Sequence, residues 1–274
     1  MSKYFSICML AFLFLNCTGR PTATNGQNPT PADSGTVAES EEMIVDTVPP
    51  GVKILMKVYP QQVVGFRNDS LLMADGTAII YDDGQEKDFV TMLDRSDPED
   101  MFSMTYDPTA VKPAYLADAG RSRCEQLFKA MYGHSAAEVE KRMERVDWFG
   151  QKILFTKVNG ASDSLRAVAK EMQQHPEFVE YMKGSSSFYW RTVRGAKRQS
   201  AHSYGIAIDI NTSLSDYWLW SNSGASETDS LKYANRVPEG IVRIFENHGF
   251  IWGGRWYHYD TMHFEFRPEY LTEP

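Results

Sequence analysis

The chain contains 274 residues, of which 42% are hydrophobic and 23% charged, and its formal net charge is -8. These values are typical of a globular protein with a hydrophobic core. The acidic balance argues against a protein that binds the phosphate backbone of nucleic acids. The three cysteines, Cys8, Cys17 and Cys124, are too few for a disulfide framework or a CxxC-type zinc site. A metal site would therefore consist of carboxylates and some of the six histidines.

The N-terminal segment predicts export and membrane attachment. The apolar run from Tyr4 to Leu15 is too short to span a bilayer, but it matches the apolar region of a signal peptide, which we place at residues 1–16. The end of this run resembles the lipobox of bacterial lipoproteins, in which Cys17 would be lipidated. Asn16 departs from that box, where a small residue is usual, so an ordinary cleaved signal peptide is the alternative.

A linker follows, and then a segment rich in predicted strands. Between Thr18 and Pro50, 16 of 33 residues are Pro, Gly, Ser or Thr and none is aromatic, so residues 17–50 are predicted to hold the lipidated cysteine and a disordered linker. β-branched and aromatic residues then favour strands at Val52–Tyr59 and Val63–Asp69, and a hairpin is predicted around Thr77–Asp82. We treat residues 51–110 as an N-terminal extension of unassigned role.

Residues 111–274 are predicted to form the main domain, with strands and helices mixed in an irregular order. Helices are predicted in RSRCEQLFKAMYG, from a capping box at Ser135 to about Val146, in DSLRAVAKEMQQ and in EGIVRIFENHG. Strands are predicted in KILFTKV, SFYWRTV, GIAIDIN and MHFEF. The fold class is therefore α+β: a small antiparallel sheet carrying the site, with helices packed around it.

Two sequence clusters place metal-ligating side chains on strands. In the strand after Gly205, Asp209 faces away from its isoleucine neighbours, and a buried carboxylate there needs a partner. His202 lies seven residues earlier, and His263 lies on the MHFEF strand. If the two strands are neighbours, His202, Asp209 and His263 can converge as a three-ligand set, which is the donor set of a catalytic zinc site.

Hydrolysis at such a site also needs a proton acceptor. Asp260, three residues before His263, is the best candidate. Glu265 competes for this role, although its position on the same strand face as His263 also suits a residue that orients the imidazole.

These motifs carry a family resemblance. SAHSYGIAID, GFIWGGRW and DTMHFEF resemble the VanY-type D-alanyl-D-alanine carboxypeptidases and L-alanyl-D-glutamate endopeptidases, zinc peptidases with the lysostaphin, DD-peptidase and hedgehog type of fold. The resemblance implies that His202, Asp209 and His263 bind Zn2+ and that Asp260 is the catalytic base. It also implies an arginine that helps bind substrate and stabilises the tetrahedral intermediate, for which Arg191 fits best and Arg194 is the second choice.

Several further residues are candidates for substrate binding or for support of the metal ligands. Lone histidines and tryptophans beside glycines are as often structural as functional, so each also has a packing interpretation. The candidates are Ser200, Glu265, Arg194, Trp252, Trp256 and His258.

The resulting hypothesis is zinc-dependent hydrolysis of peptidoglycan stem peptides by an exported lipoprotein facing the cell wall, in the periplasm or at the cell surface. Its partners would be stem peptides and the membrane, with no nucleic acid. The motifs do not distinguish a D-Ala-D-Ala carboxypeptidase from an L-Ala-D-Glu endopeptidase. The alternative is a non-catalytic peptidoglycan-binding lipoprotein that retains the peptidase fold.

Overall fold

The computed structural model describes residues 48–274, so the predicted signal peptide, Cys17 and most of the predicted linker lie outside the described residues. The helices are α1 (Pro50–Val58), α2 (Phe89–Asp94), α3 (Glu125–Tyr132), α4 (Ala136–Lys141), α5 (Ala161–Met172), α6 (Val179–Met182), α7 (Trp218–Ser221) and α8 (Glu239–Asn247). The strands are β1 (Val63–Arg67), β2 (Ser70–Met73), β3 (Ala78–Ile80), β4 (Met143–Trp148), β5 (Gln151–Thr156), β6 (Ala207–Asp209), β7 (Phe250–Trp252) and β8 (His263–Phe266). No helix within this range has the length and apolar character needed to cross a membrane.

The strands form three small antiparallel sheets, which confirms the predicted α+β class. Their orders are β1-β2-β3, β4-β5 and β6-β8-β7. In the third sheet β8 lies in the centre, and Asp209 on β6 is directly opposite His263 on β8. The alternation of side chains along paired strands puts these two on one face.

The opposite face of this sheet packs on helix α8. Ile241, Val242 and Phe245 occur at helical spacing and are buried. Phe245 stacks on Phe264 of β8 with ring centroids 3.9 Å apart. Phe264 is fully buried, so its neighbours along β8, His263 and Glu265, are directed to the other face.

Three predicted elements differ from the structure. Val52–Tyr59, predicted as a strand, is mostly helix α1 and buries Val52, Leu55 and Tyr59, which have helical spacing. The segment SFYWRTV is not a strand, although Thr192 makes an isolated bridge to Gln199. The helix predicted to reach about Val146 ends at Lys141, and β4 follows.

The N-terminal segment and the main segment share one hydrophobic cluster. Val52, Leu55 and Tyr59 belong to the same buried cluster as Leu127 and Phe128 of α3. The proposed boundary between residues 51–110 and 111–274 stays a prediction.

Candidate active site

Three ligand-type side chains converge at one edge of the third sheet. The Nε2 atom of His202 lies 3.2 Å from Nδ1 of His263 and 3.2 Å from Oδ1 of Asp209. The Nδ1 atom of His263 lies 2.9 Å from the same Asp209 oxygen. Ligands about 2.0–2.2 Å from a tetrahedral zinc are separated by about 3.4 Å. The three atoms are therefore spaced closely enough to share one metal ion.

Local backbone geometry brings His202 to this point. It lies in a short 3-10 turn, Ala201–Tyr204, that ends at Gly205 with a φ of +66°. This left-handed conformation favours glycine, because residues with a side chain rarely adopt it. The chain then enters β6, which presents Asp209 beside His202.

Each histidine has an acceptor on its other ring nitrogen. Nδ1 of His202 lies 2.7 Å from the carbonyl oxygen of Ser187, and Nε2 of His263 lies 2.9 Å from Oε1 of Glu265. An acceptor at one nitrogen assigns the proton to it and leaves the lone pair of the other nitrogen free for a metal. Glu265 thus occupies the orienting position that its strand face predicted.

The electrostatics of the trio favour one added positive charge. Burial lowers the pKa of His263, but hydrogen bonds to Asp209 and Glu265 outweigh burial and raise it to about 10. Burial acts to raise the pKa of Asp209, but the two histidines hold it well below its usual range. These donors fit a divalent cation, because a bound cation would supply the charge that the proton on His263 otherwise provides.

Asp260 lies beside the trio, lines the same cavity and is half-buried. Its pKa is raised to about 7, first by burial and then by the negative charge of Asp209. Its Oδ1 atom is buried and has no hydrogen-bond partner among the described residues. The backbone of Asp260 packs closely against Gly253, where a Cβ atom would lie only 2.5 Å from the carbonyl oxygen of Asp260. A carboxylate with a pKa near neutrality has the property required of a general base.

The trio opens into a cavity of about 490 Å³. Among the predicted substrate-binding residues, Ser200, Trp256, His258, Arg191 and Arg194 line this cavity. The structure places Trp252 elsewhere: it is 2% exposed and packs in the core, with its indole nitrogen donating to the carbonyl of Thr261.

The cavity wall contains five arginines, two of which, Arg121 and Arg123, the sequence motifs did not indicate. These two are half-buried and line the cavity together with the buried Arg198 and the exposed Arg191 and Arg194. Arg121, Arg123 and Arg198 each pair with a carboxylate of the protein, and the Nε atoms of Arg123 and Arg198 have no hydrogen-bond partner among the described residues. Burial lowers the pKa of both groups, and neighbouring guanidinium groups lower it further. This wall therefore favours an anionic group such as a carboxylate.

A second unpredicted feature is the pairing of His258 with Asp118. Nδ1 of His258 lies 2.5 Å from Oδ2 of Asp118, and both side chains are fully buried. Burial acts to raise the pKa of Asp118, but the charges of Arg121 and His258 lower it to about 2. The two residues are 140 positions apart in the chain, so no local motif could have indicated the pair.

Comparison with known families gives one match. Residues 194–266 match the family model described as D-alanyl-D-alanine carboxypeptidase. This match confirms the predicted resemblance to VanY-type peptidases, and the matched segment contains His202, Asp209, Asp260 and His263. A search of curated proteins gave no match. Residues 194–266 are thus similar to a peptidase family.

Proposed function

We propose that the protein is a zinc-dependent peptidase that cleaves peptidoglycan stem peptides. The observation that carries this proposal is the convergence of His202, Asp209 and His263 within hydrogen-bond distance of one another. This set lies inside the segment that matches the carboxypeptidase family. His202, Asp209 and His263 would hold the metal.

Zinc, when bound, lowers the pKa of a water molecule to about 7 and polarises a carbonyl group. Asp260 is the half-buried carboxylate beside the trio, and it accepts the proton released from water. Burial sustains its basicity, whereas a cation at the trio lowers its pKa and keeps it ionised at neutral pH. Arg191, which lines the same cavity, stabilises negative charge that develops on the substrate oxygen.

The arginine wall favours carboxypeptidase over endopeptidase action. A peptide cleaved at its C-terminal residue brings a free carboxylate close to the scissile bond, whereas an internal bond does not. The positive charges of the arginines that line the cavity, Arg123, Arg191, Arg194 and Arg198 among them, suit such a carboxylate. We therefore propose removal of a terminal D-alanine from stem peptides.

The proposed location follows from residues 1–50. A signal peptide at residues 1–16, a lipid on Cys17 and a flexible linker would keep an acidic protein close to an anionic cell wall, to which charge alone would not attract it.

Mass spectrometry of defined muropeptides tests the activity. Incubation with the zinc-loaded protein should release one D-alanine per pentapeptide, and a chelator should abolish the release. A product cut between L-Ala and D-Glu would replace carboxypeptidase with endopeptidase action. Binding to insoluble peptidoglycan without any product would support the non-catalytic alternative.

A further inference from the structure

A continuous chain of buried polar side chains connects the candidate metal site to the first helix. It begins at Nε2 of His263, which lies 2.9 Å from Oε1 of Glu265. The other oxygen of Glu265 accepts a hydrogen bond of 3.2 Å from Arg267. Arg267 donates through Nε to Glu269, whose second oxygen accepts the hydroxyl of Tyr59. Tyr59 is the residue that ends helix α1, far outside the segment that matches the peptidase family.

Every member of this chain is buried. Tyr59 and Arg267 are fully buried, and Glu265 and Glu269 are 1% and 2% exposed. Arg267 lies over the rings of Phe128 and Tyr270, at 4.8 and 4.9 Å from their centroids. The two aromatic rings and the carboxylates of Glu265 and Glu269 together fix the orientation of its guanidinium group.

Stability alone is a poor explanation for these charges. Each buried ion costs several kcal/mol of desolvation, and ion pairs of this kind are often no more stabilising than apolar side chains of the same volume. The charges do balance, because Glu265 and Glu269 oppose Arg267 and Arg123, whose NH1 atom lies 3.0 Å from Glu265. What the chain does provide is a fixed position for the carboxylate of Glu265.

The position of Glu265 decides which nitrogen of His263 faces the metal site. Both oxygens of Glu265 accept hydrogen bonds from arginines, Oε1 from Arg123 and Oε2 from Arg267, so the carboxylate acts as an acceptor toward His263. Its hydrogen bond therefore directs the proton of His263 to Nε2 and the lone pair to Nδ1. Arg123 holds Oε1 of Glu265 at 3.0 Å, so a shift of Arg267 would release Oε2 and change the angle at which Oε1 meets His263.

We propose that Tyr59 is a positioning residue for the metal site, acting through Glu269, Arg267 and Glu265 on the imidazole of His263. This inference rests on the proposed zinc site. It assigns helix α1 to the peptidase unit, although it precedes the matched segment by more than a hundred residues. Loss of the Tyr59 hydroxyl removes one hydrogen-bond donor from Glu269. Glu269 then holds Arg267 less firmly, and Arg267 in turn holds Glu265 less firmly.

The test compares two buried tyrosines in the full chain. Tyr59→Phe removes the hydroxyl at the end of the chain. Tyr106→Phe is the matched control, because Tyr106 is also buried and donates to a glutamate, Glu246, that pairs with Arg255 without contact to a metal ligand. Zinc affinity is measured by competition with a chromogenic chelator. Mutation of a residue that directly orients a metal ligand typically lowers metal affinity about 10- to 100-fold. Tyr59 is separated from Glu265 by three hydrogen bonds, so we expect zinc binding in Tyr59→Phe to be about three- to tenfold weaker.

Each outcome decides between the two proposals. Weaker zinc binding in Tyr59→Phe, with wild-type affinity in Tyr106→Phe and wild-type kcat at saturating zinc, supports the positioning role. Equal affinity in Tyr59→Phe and the wild-type protein overturns it and leaves the zinc site intact. If the wild-type protein binds no zinc, the proposed function fails and the positioning role fails with it. Equal losses in both variants would show a structural effect and would also overturn the role.

Discussion

Ligand-type side chains gather in two regions among residues 48–274, and the difference between the regions shows what a metal site requires. One is the His202, Asp209 and His263 trio. The other is an acidic cluster of the N-terminal segment, made of two groups that share Asp97: Asp82, Asp83 and Asp97, and Asp97, Glu99 and Asp100. Each acidic group has as many ligands as the trio, so the number of ligands does not distinguish them.

The source of positive charge does distinguish them. The Nζ atom of Lys87 lies 3.0, 2.9 and 2.6 Å from oxygens of Asp83, Asp97 and Asp100, so the chain itself supplies the cation. The trio has no lysine or arginine at hydrogen-bond distance among the described residues. It also contains two imidazoles whose orientations are set by Ser187 and Glu265. The acidic cluster is therefore a closed structural clamp, whereas the trio suits an external metal.

The largest expected effect comes from the base beside the trio. Asp260→Asn keeps the shape of the side chain and removes its proton acceptor, so kcat should fall about 10²- to 10⁴-fold. Zinc affinity should change little, because Asp260 is not one of the three ligands. Steady-state kinetics on a synthetic pentapeptide, together with zinc analysis, check both properties. A variant with wild-type kcat would remove Asp260 from the mechanism.

Removal of the Lys87 charge should turn the acidic cluster into a site that binds a divalent cation. Lys87→Met leaves three carboxylates facing one another without a positive charge, and we expect the free energy of unfolding to fall by about 3 kcal/mol. Millimolar Ca2+ should restore part of this loss in the variant and should not stabilise the wild-type protein. Thermal unfolding with and without Ca2+ measures this effect. A variant as stable as the wild-type protein would contradict the clamp interpretation, and Lys53→Met, outside the cluster, serves as the control.

Low pH should decrease the free energy of unfolding, because it protonates Asp118. Its pKa is about 2 in the folded chain, below the ordinary aspartate value of 3.8. The stability gained from ionised Asp118 is therefore complete above about pH 4 and is lost as the pH falls toward 2, a loss of about 2 kcal/mol. Asp118→Asn should flatten this part of the stability curve. Unfolding by urea at several pH values measures it, and an unchanged curve in the variant would show that other carboxylates cause the acid sensitivity.

The site was more accessible to sequence reasoning than the rest of the fold. Strand alternation placed Asp209 and His263 on the same face, and the structure pairs these residues directly. The strand predicted at Val52–Tyr59 was wrong. Its β-branched residues favour a strand, but its buried residues have helical spacing and the segment is mostly helix α1. Tertiary packing overrode local propensity there.

Contacts between residues far apart in the chain could not be predicted, for a different reason. Asp118 with His258, and Tyr59 with Glu269, are separated by 140 and 210 residues, and nothing in either local sequence identifies the other partner. The arginines in RSRCEQLFKAMYG were visible only as part of a helical pattern. Their place in the cavity wall depends on how α3 packs beside the third sheet.

Zinc stoichiometry tests the central claim most directly. The purified full chain, loaded with zinc and dialysed, should contain one zinc ion per molecule by elemental analysis. His202→Ala should contain none, whereas His248→Ala, which changes a histidine that pairs with Glu171 away from the trio, should retain one. Full zinc content in His202→Ala, or its absence from the wild-type protein, would contradict the assignment of His202, Asp209 and His263 as the metal site.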